Sequence, residues 1–208
     1  MKITIDGEEQ PVGQKIERRI RLRGQPKRPV EGAALDEKAA TKRYKRSLWW
    51  TYGIIYPALL LGWFLSMGKA QNGGVILFTF LFVLAFAFLI AYFHRRDIRR
   101  WRERSAGRLA DLPAMGTKIS VSPDALTVEG ASYPWTALSV AGVDFELKRA
   151  KRSAWLEVDR IRVLANDGKS FVLDTFGYTN GAKLVDMAAD KLWPQVQPVV
   201  NGESSASA

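Results

Sequence analysis

Side chains that could do covalent or acid–base chemistry are scarce in this chain. It has one histidine, His94, and no cysteine. Thiolate nucleophiles, disulfides and Cys-ligated zinc or iron–sulfur centres are excluded, and histidine catalysis or a multi-His metal site nearly so. The sequence has no Gly-x-Gly-x-x-Gly, no phosphate-cradling Gly-x-x-x-x-Gly-Lys-Ser/Thr and no nucleophile–histidine arrangement. The carboxylates Asp144, Glu146, Glu157 and Asp159 alternate along stretches that read as strands. That spacing assigns them to the solvent side of a sheet. The expectation is a non-enzyme with no metal, no cofactor and no small-molecule substrate.

What remains with chemical character is positive charge next to aromatic rings. Lys148, Arg149, Lys151 and Arg152 form a basic loop with Trp155 just beyond it. Such a loop can dock an anionic lipid or an acidic peptide, or it can be a solvated hairpin tip. A second cluster, Arg95, Arg96, Arg99, Arg100, Arg102 and Arg104, lies in the segment HRRDIRRWRERSAGR. It could bind lipid headgroups at a membrane surface, or it could serve only to fix topology. The formal charge is +10, unevenly distributed: residues 1–110 carry 21 Lys or Arg against 9 Asp or Glu, and residues 111–208 carry 10 against 12. A C-terminal half without basic excess argues against a nucleic-acid reader, so no nucleic-acid partner is expected.

The elements that must carry these groups follow from the apolar pattern. No charged residue lies between Arg46 and Lys69, nor between Lys69 and Arg95. The two runs predict transmembrane helices at 47–67 and 75–94, joined by an extracytoplasmic turn at 68–74. Basic flanks on both outer ends place the N- and C-termini in the cytoplasm, and Trp49, Trp50, Tyr52, Tyr92 and Trp101 suit interfacial positions. Pro57 falls inside the first run. Residues 1–46 read as a basic cytoplasmic segment with a short strand at Met1–Asp6 and a helix over 33–46, and residues 95–110 as a basic juxtamembrane helix.

From Thr117 the period shortens to that of strands. Ile119-Ser120-Val121-Ser122-Pro123-Asp124-Ala125-Leu126-Thr127-Val128 is a hairpin, Tyr133-Pro134-Trp135 opens another strand, and Asn166-Asp167-Gly168 is a tight-turn signal before Phe171-Val172-Leu173. Leu184, Val185, Ala188, Ala189 and Leu192 then repeat at helical spacing, with Thr179 or Asn180 as cap and Pro194 as stop. This leaves a domain over 111–194 and a disordered tail over 195–208.

In layout and in these short motifs the chain resembles the YcxB-like bacterial membrane proteins. That resemblance implies a transmembrane hairpin followed by a cytoplasmic pleckstrin-homology-like α+β domain, an antiparallel barrel closed by a C-terminal helix. It also implies an inner-membrane location and a binding or scaffold role. The partners expected are membrane lipids, a membrane-protein partner or a second copy; the alternative role is an accessory subunit of a larger membrane complex such as a transporter.

Overall fold

A computed structural model describes residues 1–11, 13–22, 28–58, 73–150 and 153–203, with side chains except at 50, 51, 55, 73–80, 104–106 and 109. The chain divides into two compact units: residues 1–36 with 111–208, and residues 37–110.

The first unit is α+β. Its strands are β1 (Lys2–Ile5), β2 (Glu8–Glu9), β3 (Ile20–Arg21), β4 (Val30–Ala33), β5 (Lys118–Val121), β6 (Ala125–Val128), β7 (Ala131–Pro134), β8 (Leu138–Ala150), β9 (Ser153–Ala165) and β10 (Ser170–Asp174). They make two sheets. The larger runs β10-β9-β8-β1-β2 with β3 added beside β9, and the smaller runs β4-β5-β6-β7. The β5–β6 and β9–β10 hairpins lie where turn chemistry places them, and Gly168 takes the left-handed conformation, φ 82°, that closes the second.

Alternation along the strands sorts the larger sheet into two faces. Ile3 pairs with Val143, Val143 with Ile161 and Ile161 with Leu173, giving an apolar row across four strands. One position along, Thr4, Asp144, Arg160 and Asp174 form the matching polar row on the other face. The apolar row joins Val121 and Leu126 of the smaller sheet in one core, closed by the terminal helix α3 (Gly181–Val200) through Leu184, Val185, Ala188, Leu192 and Val196.

The second unit is helical: α1 (Glu37–Trp49), a π-helical turn (Trp50–Ile55) and α2 (Gly73–Ala110). The wide turn directly precedes Pro57, whose missing N–H leaves the regular ladder incomplete there. Val83, Phe86, Ile90, His94, Asp97 and Trp101 recur every three or four residues and are among the less exposed positions of α2. Tyr44 of α1 stacks on Trp101 with ring centroids 5.0 Å apart, and Tyr56 meets Phe86 edge-on at 6.2 Å.

Several expectations are corrected. Among the described residues no helix is long and apolar enough to cross a membrane. Residues 59–72, half of the stretch 47–74 that was expected to form the first span and the turn, lie outside the described residues. The second expected span, 75–94, lies within α2. The transmembrane hairpin, the multi-pass inner-membrane location and the cytoplasmic termini deduced from it therefore do not stand. Neither does the barrel, because the strands form two sheets that do not close on one another.

Local differences have identifiable causes. The helix expected from 33 begins at Glu37, because Ala33 ends a strand in which Val30, Glu31, Gly32 and Ala33 pair antiparallel with Val121, Ser120, Ile119 and Lys118. The terminal helix runs through Pro194 and Pro198 to Val200. Buried Val196 and Val200 hold that last stretch, and Gln195 ties it to β8 by accepting from the Val140 N–H at 2.9 Å and donating to the Leu138 carbonyl at 2.9 Å. The side chains of Thr179 and Asn180 do not cap the helix. Thr179 Oγ1 accepts from the Ala33 N–H, and Asn180 Nδ2 donates to the Glu31 carbonyl, so both bind β4.

Candidate functional site

Three polar places in the structure could act on something outside the chain: the outer end of the β8–β9 hairpin, the polar row of the larger sheet, and the arginine-bearing end of α2.

At the hairpin, β8 and β9 are thirteen residues each and pair to the end, Ala150 opposite Ser153. Strand β1 ends at Ile5, opposite Phe145, and the Asp6 carboxylate closes the next edge position by accepting from the Leu147 N–H at 2.9 Å. Beyond it, among the described residues, Lys148, Arg149 and Ala150 have β9 alone as strand neighbour. Lys148 is ion-paired with Glu146 at 2.6 Å. Arg149 is exposed. Trp155, opposite Lys148, donates its indole N–H to Glu157 at 2.8 Å, and the Arg21 guanidinium stands over the ring at 5.7 Å. The hairpin thus collects Lys148, Arg149 and Trp155, while Lys151 and Arg152 lie outside the described residues.

The polar row was not legible as a network. Asp144 accepts two contacts from Arg162 Nη2, at 2.7 and 2.9 Å, and a hydrogen bond from the Thr4 hydroxyl. Arg160, 4% exposed, pairs with Asp111 at 2.9 Å and stands 3.8 Å from Asp174. Asp174 in turn accepts from the backbone N–H groups of Phe176 and Gly177. Asp159 accepts from the Thr175 hydroxyl, at a point where the β8–β9 register slips by one residue. Two of the four carboxylates expected to face solvent are inside: Glu157 and Asp159 are 8% and 7% exposed, while Asp144 and Glu146 are half-buried. The signal in the sequence is Arg160 and Arg162, two apart and alternating with the apolar Ile161 and Val163. Close by, burial, with the Asp174 charge adding and the Arg160 cation opposing, holds the Tyr178 phenol well above its usual range. The row joins strands to one another, which is structural work.

On α2, Arg95, Arg99, Arg100 and Arg102 are exposed, Arg96 is half-buried with its guanidinium 6.0 Å over the Phe93 ring, and Arg104 is described only as helical backbone. Inside the helix pair, the Tyr52 hydroxyl donates to Asp97, and burial followed by that hydrogen bond pushes the phenol up to about 12. His94 stands edge-on to Tyr52 at 5.3 Å, its Nδ1 buried and without a hydrogen-bond partner among the described residues.

No family model, curated protein or solved structure matches this chain. Among the described residues no group of three or more His, Asp or Glu is arranged to hold a metal ion. A cavity of about 70 Å³ lined by Lys2, Glu9, Gln14, Ile16 and Val199 is on the scale of a few water molecules.

Proposed function

We propose that this protein is a non-catalytic binding module whose β unit recognises an acidic segment of a partner protein through the outer end of the β8–β9 hairpin. The observation that carries the reading is the end of β1 at Ile5, which leaves Lys148–Ala150 as an open strand edge among the described residues, with exposed Arg149 on one face and Trp155, opposite Lys148 on β9, on the other. An extended acidic segment suits that edge, because backbone groups supply hydrogen bonds while Arg149 and the aromatic ring select charge and shape. The charged groups of the polar row support the non-catalytic role, since Asp144, Asp174, Arg160 and Arg162 are engaged in holding strands together. Lys148 is the weaker contributor, because Glu146 already neutralises it.

A labelled poly-glutamate peptide titrated into the full chain tests this. Binding should weaken steeply as salt rises from about 0.1 to about 0.5 M. Arg149→Glu with Lys148→Gln should weaken it about tenfold or more. Binding that ignores both changes, with the variant folded by circular dichroism, rules the surface out.

A further inference from the structure

The basic edge of β8 lies beside an acidic element of the same chain. Strands β1 and β2 are joined by Asp6 and Gly7, whose φ angles of 52° and 90° make a tight two-residue turn. Asp6, Gly7, Glu8 and Glu9 are all exposed. Strand β2 pairs with β1 alone and is the outermost strand of the larger sheet. Along this side the sheet therefore has a step. Two strands lie outside β8 as far as the Asp6 cap on Leu147, and from Lys148 onward β8 is bare among the described residues.

The two levels of the step carry opposite charge, and their faces match. Glu8 is opposite Ile5 and Ile5 opposite Phe145, so Glu8 projects from the same face as Arg149, four residues beyond Phe145. Glu9 is opposite Thr4 and Thr4 opposite Asp144, so Glu9 shares the other face with Lys148. Glu9 and Lys148 already have partners, Lys2 and Glu146, each at 2.6 Å. Glu8 and Arg149 have no ion pair among the described residues. Backbone groups match as well. The Phe145 carbonyl and the Leu147 N–H both point to the β1 side, so the N–H and C=O of Arg149 point to the open edge. Across the turn the Gln10 N–H donates to the Ile3 carbonyl, so Glu9, one residue before, turns its N–H and C=O outward.

We infer that the acidic segment taken up by this edge is Glu8–Glu9 of a second copy of the chain, an inference that rests on the hairpin reading and names its partner. A half-turn about an axis normal to the larger sheet sets β2 of each copy beside the bare end of β8 in the other. Glu8 then meets Arg149 at both ends of the interface, and each face stays on its own side. The spacing is self-consistent. At either level two strands separate the two β8 strands, one copy's β1 and β2 at one level and its partner's at the other, so both halves need the same gap of about 14 Å. An unrelated acidic peptide would fill the step but leave the outer edge of β2 open.

Sedimentation velocity of the full chain from about 1 µM to about 1 mM tests the inference. A monomer–dimer equilibrium should appear and shift to monomer as salt rises from about 0.1 to about 0.5 M. Glu8→Arg and Arg149→Glu, each folded by circular dichroism, should each raise the dissociation constant about tenfold or more. An equimolar mixture of the two variants should dimerise where each alone is monomeric, because every contact in the mixed dimer again joins an acid to a base. Poly-glutamate should dissociate the unaltered dimer. A dimer that ignores both charge reversals, or a mixture that stays monomeric, overturns the inference. A chain that is monomeric throughout also overturns it: if poly-glutamate still binds, only the second copy is wrong, and if it does not, the hairpin reading fails too.

Discussion

Asp144→Asn is the substitution that most directly tests how the larger sheet is held. The amide keeps the size and shape of the carboxylate but removes its charge and turns one oxygen into a donor. Three donated contacts are affected: two from Arg162 Nη2, at 2.7 and 2.9 Å, and one from the Thr4 hydroxyl. The full cost of orphaning a buried charge, about 3–5 kcal/mol, does not apply. Arg160 keeps Asp111 at 2.9 Å, and the Arg162 side chain is 31% exposed and can reach water. What is lost is closer to a hydrogen bond to a charged group, about 1.5–3 kcal/mol, so about 2 kcal/mol is expected.

The loss should be local to β1, whose side-chain tie to β8 in this row is Thr4 to Asp144. Native-state hydrogen exchange resolves it. The Asp6 amide donates to the Phe145 carbonyl and the Gln10 amide to the Ile3 carbonyl, so both report the opening of β1. About 2 kcal/mol makes them exchange about thirtyfold faster. The Ala165 amide, bonded across the β9–β10 turn to the Lys169 carbonyl, should not change. Thr4→Val should reproduce part of the effect, and the double variant should show a coupling of about 1 kcal/mol. Unchanged protection at Asp6 and Gln10 would refute the local argument; a uniform loss across the sheet would show instead that Asp144 supports the whole unit.

Other outcomes follow from single contacts. Gly181→Ala should destabilise the β unit by about 3 kcal/mol despite alanine's better helix propensity, because the new methyl would fall 2.4 Å from both the Asp174 and Thr175 carbonyl oxygens; chemical denaturation measures it. In an absorbance titration the Tyr52 and Tyr178 phenols should ionise above the usual tyrosine range, Tyr52 near 12. Because both phenols are raised in the folded state, their contribution to stability is complete below about pH 10 and is lost as pH rises beyond it, so Tyr178→Phe should reduce the alkaline loss. Replacing residues 37–110 with a short turn should leave a folded β unit by circular dichroism and proteolysis, since Ala33 already pairs with Lys118 and the Ala34 N–H already donates to the Thr117 carbonyl.

Local pattern made the second half of the β unit readable. Ser122-Pro123-Asp124, Asn166-Asp167-Gly168 and the spacing from Leu184 to Leu192 each encode a turn or a face within a few residues. The first 36 residues were legible only as a strand at the start. Ile20 and Arg21 form two residues of strand against Leu156 and Glu157, too short to show a period, and Val30–Ala33 is strand because of partners nearly ninety positions away. Separation along the chain also hid the polar row, because Thr4 and Asp144, 140 positions apart, are joined by register and not by spacing. Pro194 misled because proline stops a helix by local rule, whereas buried Val196 and Val200 and the Gln195 bridge outweigh that rule here.

The arrangement of the β unit has a consequence for how its binding edge is set. Strand β1 approaches β8 in parallel, a pairing that no tight turn can register. Its register rests on side chains: Ile3 belongs to the apolar row with Val143, and Thr4 to the polar row with Asp144. A slip of one residue would set Ile3 on the carboxylate face and Thr4 in the core, exchanging a buried apolar group for an unsatisfied hydroxyl. A slip of two would keep the faces but move Ile5 to Leu147, and Asp6 would no longer cap the Leu147 N–H. Either slip shifts the point at which β8 loses its parallel neighbour, which is the point where the Lys148–Ala150 edge begins. The Thr4–Asp144 contact thus determines how much of β8 remains open, and a register fixed by distant side chains sets the length of the edge offered to a partner.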